Sequence, residues 1–146
     1  NLERMLETMS EAAGNMPIIA PLRTDAAQVV QLLDASKHRN LHIVQPLGYL
    51  EFSYLLLNAA GVITDSGNVA EEATFTNVPC ATLNSYTEHI ETVKQGTNIL
   101  VGEDAQKLRT AVSDMVSGKW KTATIPDRWD GRSAERIIQT LIDFVK

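Results

Sequence analysis

Gly61-Val62-Ile63-Thr64-Asp65-Ser66-Gly67-Asn68-Val69-Ala70-Glu71-Glu72 is the stretch that decides how this chain folds. A short apolar segment with β-branched residues, Gly61 to Thr64, suits a buried strand. A turn of small residues follows, and then a helix from Val69 to Phe75. A strand that hands over to a helix is the unit of a parallel sheet, because parallel neighbours need a crossover connection.

The same alternation runs outward in both directions. Upstream, Leu2, Met5, Leu6 and Met9 recur at helical spacing, with Asn1 as N-cap and Gly14 just past the end. Pro17 to Ala20 reads as a strand, Asp25 caps a helix carrying Val29, Val30, Leu32 and Leu33, and Leu41 to Gln45 is a strand stopped by Pro46. A helix from Tyr49 to Asn58 leads into the deciding stretch. Downstream, Pro79 to Leu83 is a strand, a short helix after Glu88 ends at Gly96, and Thr97 to Val101 is a strand closed by Gly102. Two longer helices close the chain, one with Leu108, Val112, Met115 and Val116, the other capped by Ser133 and carrying Ile137, Ile138, Leu141, Ile142 and Phe144. The segment 120–132 between them, with Pro126, Gly131 and two Trp, is an irregular connection. Roughly five short strands alternating with helices predict one α/β domain, a doubly wound parallel sheet covered on both faces.

Composition agrees with a single domain and narrows the partners. The chain has 146 residues, 44% hydrophobic and 21% charged, with 13 Lys+Arg against 18 Asp+Glu. A net charge of −5 supplies no basic field for nucleic acid, so none is expected as a partner. Cys80 is the lone cysteine and reads as a small buried hydrophobe, which suits a reducing cytoplasm. No apolar run approaches the ~20 residues of a membrane span, so no membrane partner is expected. The chain opens at Asn1 without Met, basic n-region or apolar h-region, and this start reads as a cut or processed end.

In an open parallel sheet, ligands collect where strands end and helix N-termini begin. Of the strand-to-helix turns here, Ser66-Gly67-Asn68 combines a hydroxyl, a glycine that admits close backbone approach, and a following helix N-terminus, a set suited to phosphate oxygens. The spacing equally fits a Ser66 cap with Glu71 and Glu72 complementing the helix dipole, and local chemistry does not choose between the two. No Walker A sequence, Gly-x-Gly-x-x-Gly, Gly-x-Ser-x-Gly elbow or Cys/His metal spacing occurs. His42, inside a strand, reads as structural; His89, in a polar turn after Thr87-Glu88, enters the site.

Thr64-Asp65-Ser66-Gly67-Asn68-Val69-Ala70-Glu71-Glu72-Ala73, then Thr87-Glu88-His89-Ile90-Glu91-Thr92, Gly96 and Leu100-Val101-Gly102, resemble the C-terminal half of the non-hydrolysing UDP-N-acetylglucosamine 2-epimerases. The family's blocks are Thr-Asp-Ser-Gly-Gly-x-Gln-Glu-Glu-Ala and Arg-x-x-Thr-Glu-Arg-Pro-Glu, followed by Gly and Leu-Val-Gly. This chain has Asn68 for the second glycine, Ala70 for the Gln, Asn84 for the leading Arg and His89-Ile90 for Arg-Pro. It keeps Arg23 and Thr24 of the family's Pro-x-His-Pro-Arg-Thr and lacks that His.

The resemblance implies a Rossmann-like, doubly wound domain, one half of a two-domain, glycosyltransferase-B-like arrangement with a sugar nucleotide in the cleft. Residues 1–146 would be the C-terminal UDP-binding domain, its N-terminal domain lying outside this chain. Carried over by position, Ser66, Gly67 and Asn68 would hold the UDP diphosphate and Glu72 the ribose hydroxyls. Phe52, which by itself reads more readily as a core aromatic, would lie against the uracil, and Arg23 and His89 would join the UDP-binding set. The family's activity is that of a cytoplasmic isomerase of polysaccharide biosynthesis. It converts UDP-N-acetylglucosamine to UDP-N-acetylmannosamine by elimination and re-addition of UDP, and no cofactor or metal is implied. Its acid and base groups come largely from the other domain, so this half alone is expected to be inactive. A homodimer is expected at full length. The alternatives are a diverged paralog acting on another nucleotide sugar and a non-catalytic nucleotide-binding domain.

Overall fold

Side chains on a strand alternate between faces, and in this protein each face meets a different helix pair. The structure is a computed structural model that describes residues 2–22 and 38–145. Strands β1 (Ile18–Pro21) and β2 (Leu41–Val44) form one parallel ladder, and β3 (Val62–Thr64), β4 (Cys80–Thr82) and β5 (Asn98–Leu100) form a second. The helices are α1 (Leu2–Ala13), α2 (Tyr49–Asn58), α3 (Gly67–Phe75), α4 (Ile90–Lys94), α5 (Ala105–Ser117) and α6 (Ser133–Val145).

The α/β class and the parallel pairing are as expected, and the deciding stretch folds as strand, turn and helix. The helix begins at Gly67, two residues earlier than the apolar pattern suggested. The sheet departs from the expectation of one continuous ladder. Among the described residues no ladder joins β1 to β3. Apolar contact links the two pieces instead, since Ile18, Leu22 and Leu41 pack into the same cluster as Ile63, Ala81 and Ile99. The expected N-cap Asn1 and the helix expected from Asp25 to Leu33 lie outside the described residues.

One face of the three-stranded sheet carries the larger core. Met5, Leu6, Met9 and Ala13 of α1 interlock with Leu108, Ala111, Val112 and Met115 of α5 over Ala81 and Val101. The other face buries Leu56 of α2 and Ala70 and Ala73 of α3 against Val78 and Cys80, with Phe52 and Val62 at its margin. Neighbouring residues Cys80 and Ala81 thus serve opposite cores, which is why β4 is apolar at both positions. Burial pushes the Cys80 thiol up to about 12, in keeping with an inert core role.

Beyond α5 the chain turns through Gly118 in the left-handed region, φ +68°, and the Lys119 N–H closes the helix on Asp114 O at 2.8 Å. Segment 120–124 then straps the far edge: Trp120 Nε1 donates to Thr97 O (2.7 Å), and Lys121 Nζ donates to Val93 O (2.6 Å) and Asn98 O (2.8 Å). Burial lowers the Lys121 pKa. At the start of α6, Arg136 pairs with Asp130 and holds that carboxyl down to about 2. No residue of α6 is buried, and Ile137, Ile138, Leu141 and Ile142 are exposed. No helix among the described residues is long and apolar enough to cross a membrane.

Helix α5 anchors the larger core and is capped by Asp104, whose side chain accepts from the backbone N–H of Gln106 (2.9 Å) and Lys107 (3.1 Å). These bonds favour the carboxylate and hold Asp104 below the usual carboxylate range, the Lys107 bond being the larger cause. A carboxyl depressed by folding stabilises above its unfolded pKa of about 3.9, and that stability fades as pH falls through the lower folded value. Asp104→Ala is therefore expected to lower the melting temperature at neutral pH, with the gap to the parent closing under acid conditions. Thermal unfolding followed by circular dichroism across the acid range measures both.

Candidate functional site

The parallel register places the ends of three strands side by side. Thr64, Thr82 and Leu100 are aligned across β3, β4 and β5, so the segments that leave them emerge along one edge of the sheet. The turn into α3 leaves β3, and the loop carrying His89 leaves β4. Residues about twenty positions apart in sequence are thereby brought together.

The turn at Asp65-Ser66 is shaped by neighbours at both ends. Ser66 N–H donates to Thr64 Oγ1 (3.0 Å), and Asn84 Nδ2 reaches across from the end of β4 to Asp65 O (3.0 Å). Ser66 stands at the N-cap position in extended conformation, yet its side chain makes no capping hydrogen bond. The first turn of α3 also holds no acid. Of the two readings of this spacing, the cap with dipole-complementing glutamates is thus the one the geometry does not bear out. The first N–H groups of a helix have no intrahelical acceptor, so the start of α3 presents donors beside the Ser66 hydroxyl.

Glu71 has another task. Its Oε1 lies 2.8 Å from His89 Nδ1, both side chains being partly exposed. The opposite edge of the ring lies over Gly67: a Cβ added there would run into His89 Cδ2 and Nε2. Glycine at this position thus leaves room for the His89 ring, a use of it beside the close ligand approach that the sequence suggests. Gly67 and Glu71 are four apart on one helix face, and the imidazole spans that interval.

A buried polar chain holds the His89 segment in place. Thr82 Oγ1 donates to Asn98 Oδ1 (2.5 Å), Asn98 Nδ2 to Thr92 Oγ1 (3.1 Å), and Thr92 Oγ1 to His89 O (2.7 Å). Asn98 and Thr92 are wholly buried. Gly96 lets α3 and α4 approach, since a Cβ there would meet the Thr74 side chain and come within 2.8 Å of Thr92 O.

Glu72 points elsewhere. It lines a groove of about 460 Å³ between α2 and α3, together with Glu71, Tyr49, Ser53 and Trp129. Phe52 is half-buried against the smaller core on the inner side of α2. Asn68 is exposed beside Gly67. The structure thus brings Ser66, Gly67, Asn68, Glu72 and His89 to one end of α3 and its flank, and sets Phe52 against the smaller core that α3 helps to form. Arg23 lies outside the described residues. Glu71 is the residue that the sequence reading left aside; its spacing from Gly67 was the available signal.

The family model described as UDP-N-acetylglucosamine 2-epimerase matches residues 1–142. A UDP-N-acetylglucosamine 2-epimerase of Methanocaldococcus jannaschii is 45% identical over 106 residues, 71% of this chain and 28% of that protein. A UDP-2,3-diacetamido-2,3-dideoxy-D-glucuronate 2-epimerase of Pseudomonas aeruginosa is 32% identical over 148 residues, 96% of this chain and 39% of the other. Among solved structures, the M. jannaschii UDP-GlcNAc 2-epimerase in complex with UDP-GlcNAc and UDP superposes with a TM-score of 0.76 at 34% identity, covering 97% of this chain and 40% of that one. The chain thus spans well under half the length of these relatives.

The Asn98 relay makes a prediction about stability. Asn98→Ala removes the oxygen that accepts from the buried Thr82 hydroxyl and the amide that donates to Thr92. The expected cost is about 1–3 kcal/mol, the range for a buried group left unpaired. Urea unfolding of the two proteins measures it, and a difference within a few tenths of a kcal/mol would remove the relay from the list of stabilising contacts.

Proposed function

The chain belongs to the UDP-N-acetylglucosamine 2-epimerase family, and on that premise we propose that it supplies the nucleotide-binding half of an isomerase that converts UDP-N-acetylglucosamine to UDP-N-acetylmannosamine. The observation that carries this reading is the start of α3, where an uncommitted Ser66 hydroxyl stands beside helix N–H donors at the position of the family's Ser-Gly-Gly block. The matching fold of a relative solved with UDP-GlcNAc and UDP supports it.

In this reading Ser66, Gly67 and Asn68 hold the diphosphate, and Arg23 adds a positive charge to it. Glu72 accepts from the ribose hydroxyls, and Phe52 lies beside the uracil. The chemical part assigned to this chain is electrostatic: charge develops on the diphosphate as UDP leaves C1 of the sugar, and donors already aimed at that position stabilise it without rearrangement. The proton at C2 must be removed and returned by groups of a second domain, which makes the other wall of the cleft. The protein acts in the cytoplasm, and the full-length form is a homodimer. A diverged paralog working on another nucleotide sugar is the second reading. The match to the diacetamido-glucuronate epimerase over nearly the whole chain favours that one.

Two measurements test the assignment. Glu72→Ala is expected to weaken UDP by about 1.5–3 kcal/mol in calorimetric titration while leaving 2′,3′-dideoxy-UDP nearly unchanged. Equal losses for both ligands would take Glu72 out of the ribose site. Incubated with UDP-N-acetylglucosamine in deuterated water, this chain alone is expected to exchange no deuterium into C2, whereas exchange above a protein-free control would show that it carries its own base.

A further inference from the structure

From the Gly67, Glu71 and His89 geometry we infer that Glu71 and His89 form a proton-linked clasp for the diphosphate, so that binding of the nucleotide sugar selects the doubly protonated ring. This rests on the placement of the diphosphate at the start of α3 proposed above, and assigns it a charge that comes and goes with pH.

His89 Nδ1 and Glu71 Oε1 are hydrogen-bonded at 2.8 Å. A carboxylate only accepts, so Nδ1 carries the proton in that bond. Nε2, on the edge of the ring that lies over Gly67, then has one of two forms. In the neutral ring it is a lone pair, which repels a phosphate oxygen. In the cationic ring it is an N–H donor at the first residue of α3, beside the helix donors and the Ser66 hydroxyl. An anion at this place therefore binds the cation and excludes the neutral form. Glu71 acts as a positioning residue: its bond to Nδ1 holds the ring edge on Gly67.

The surroundings are consistent with this. From α3, Glu71 faces the ring and Glu72 turns into the neighbouring groove. On its own segment His89 is flanked by Glu88 and Glu91, both exposed, with Lys94 at the end of α4. The backbone of His89 is pinned by Thr92 and by the Thr87 hydroxyl, which accepts from His89 N–H at 3.0 Å. The ring is therefore offered from a fixed base. Where the family's block has an arginine, with a permanent charge, this chain has a side chain whose charge depends on the solution.

The test is the pH dependence of UDP-N-acetylglucosamine binding by calorimetry between about pH 6 and pH 8, where histidine exchanges its proton. The nucleotide sugar is used because its diphosphate has no terminal phosphate, and so lacks the ionisation near pH ~6 that free UDP would add. The parent protein is expected to bind roughly tenfold more weakly at the upper pH, as expected for losing a hydrogen bond to a charged group. His89→Arg is expected to bind equally at both, near the tighter parent value. His89→Gln is expected to bind weakly at both, and Glu71→Ala, which leaves the ring unheld, to bind more weakly than the parent at the lower pH. Melting temperatures of the variants check that each is folded. A pH-independent parent affinity, a slope that survives in His89→Gln, or parent-like binding by Glu71→Ala would overturn the clasp while leaving the nucleotide site standing. Absence of binding by the parent at every pH would overturn the nucleotide site itself, and the clasp with it.

Discussion

Asn98, wholly buried at the start of β5, is the constraint on which the arrangement of this edge depends. A primary amide in an apolar interior is costly unless its donor and acceptor are both used. Here its oxygen accepts from Thr82 on β4 and its nitrogen donates to Thr92 on α4. Its backbone carbonyl takes the Lys121 ammonium from the segment after α5. Its side chain thereby ties β5 to β4 and α4, and its backbone adds the segment after α5. An apolar residue of the same size would fill the space but would set neither the depth of α4 nor the direction of the loop before it.

That registration decides what happens at the surface. Thr92 passes the constraint to His89 through the backbone carbonyl, and the imidazole comes to rest across Gly67 and Glu71. The start of α3 is consequently framed by groups from three places: Thr64 at the end of β3, Asn84 at the end of β4, and His89 before α4. This face is the product of a buried polar chain acting through parallel register, and the core residues beneath it, Ala70 and Ala73, are small because α3 sits close to the sheet.

The two cores give this edge its rigidity by different means. The α1 and α5 side is a conventional interlock of Leu, Met, Val and Ala, while the α2 and α3 side is thinner and rich in alanine. The groove lined by Glu72 and Trp129 lies on the thinner side, where small residues leave room between helices. The exposed apolar row on α6 contributes to neither core.

Much of this was legible in the chain of residues. The switching between strand and helix periods marked every described element, because burial on a pleat or on a helix imposes its own spacing on apolar residues. The Ser66-Gly67-Asn68 turn and His89 could be picked out from residue type and from the family's blocks. Arg23 and the helix expected from Asp25 lie outside the described residues, and the ligand contacts of Phe52 and Glu72 remain the reading proposed above. Three things required the fold. The division into two ladders depends on distances between strands that no local period encodes. The room left by glycine at position 67 is taken by a ring 22 positions away, and the partnership of Glu71 with that ring comes from the alignment of β3 with β4. Sequence by itself determined which segments bury which faces, since that depends on neighbours along the chain. Only the tertiary structure decided which polar groups meet, since hydrogen bonds between segments act over a few ångströms and depend on register.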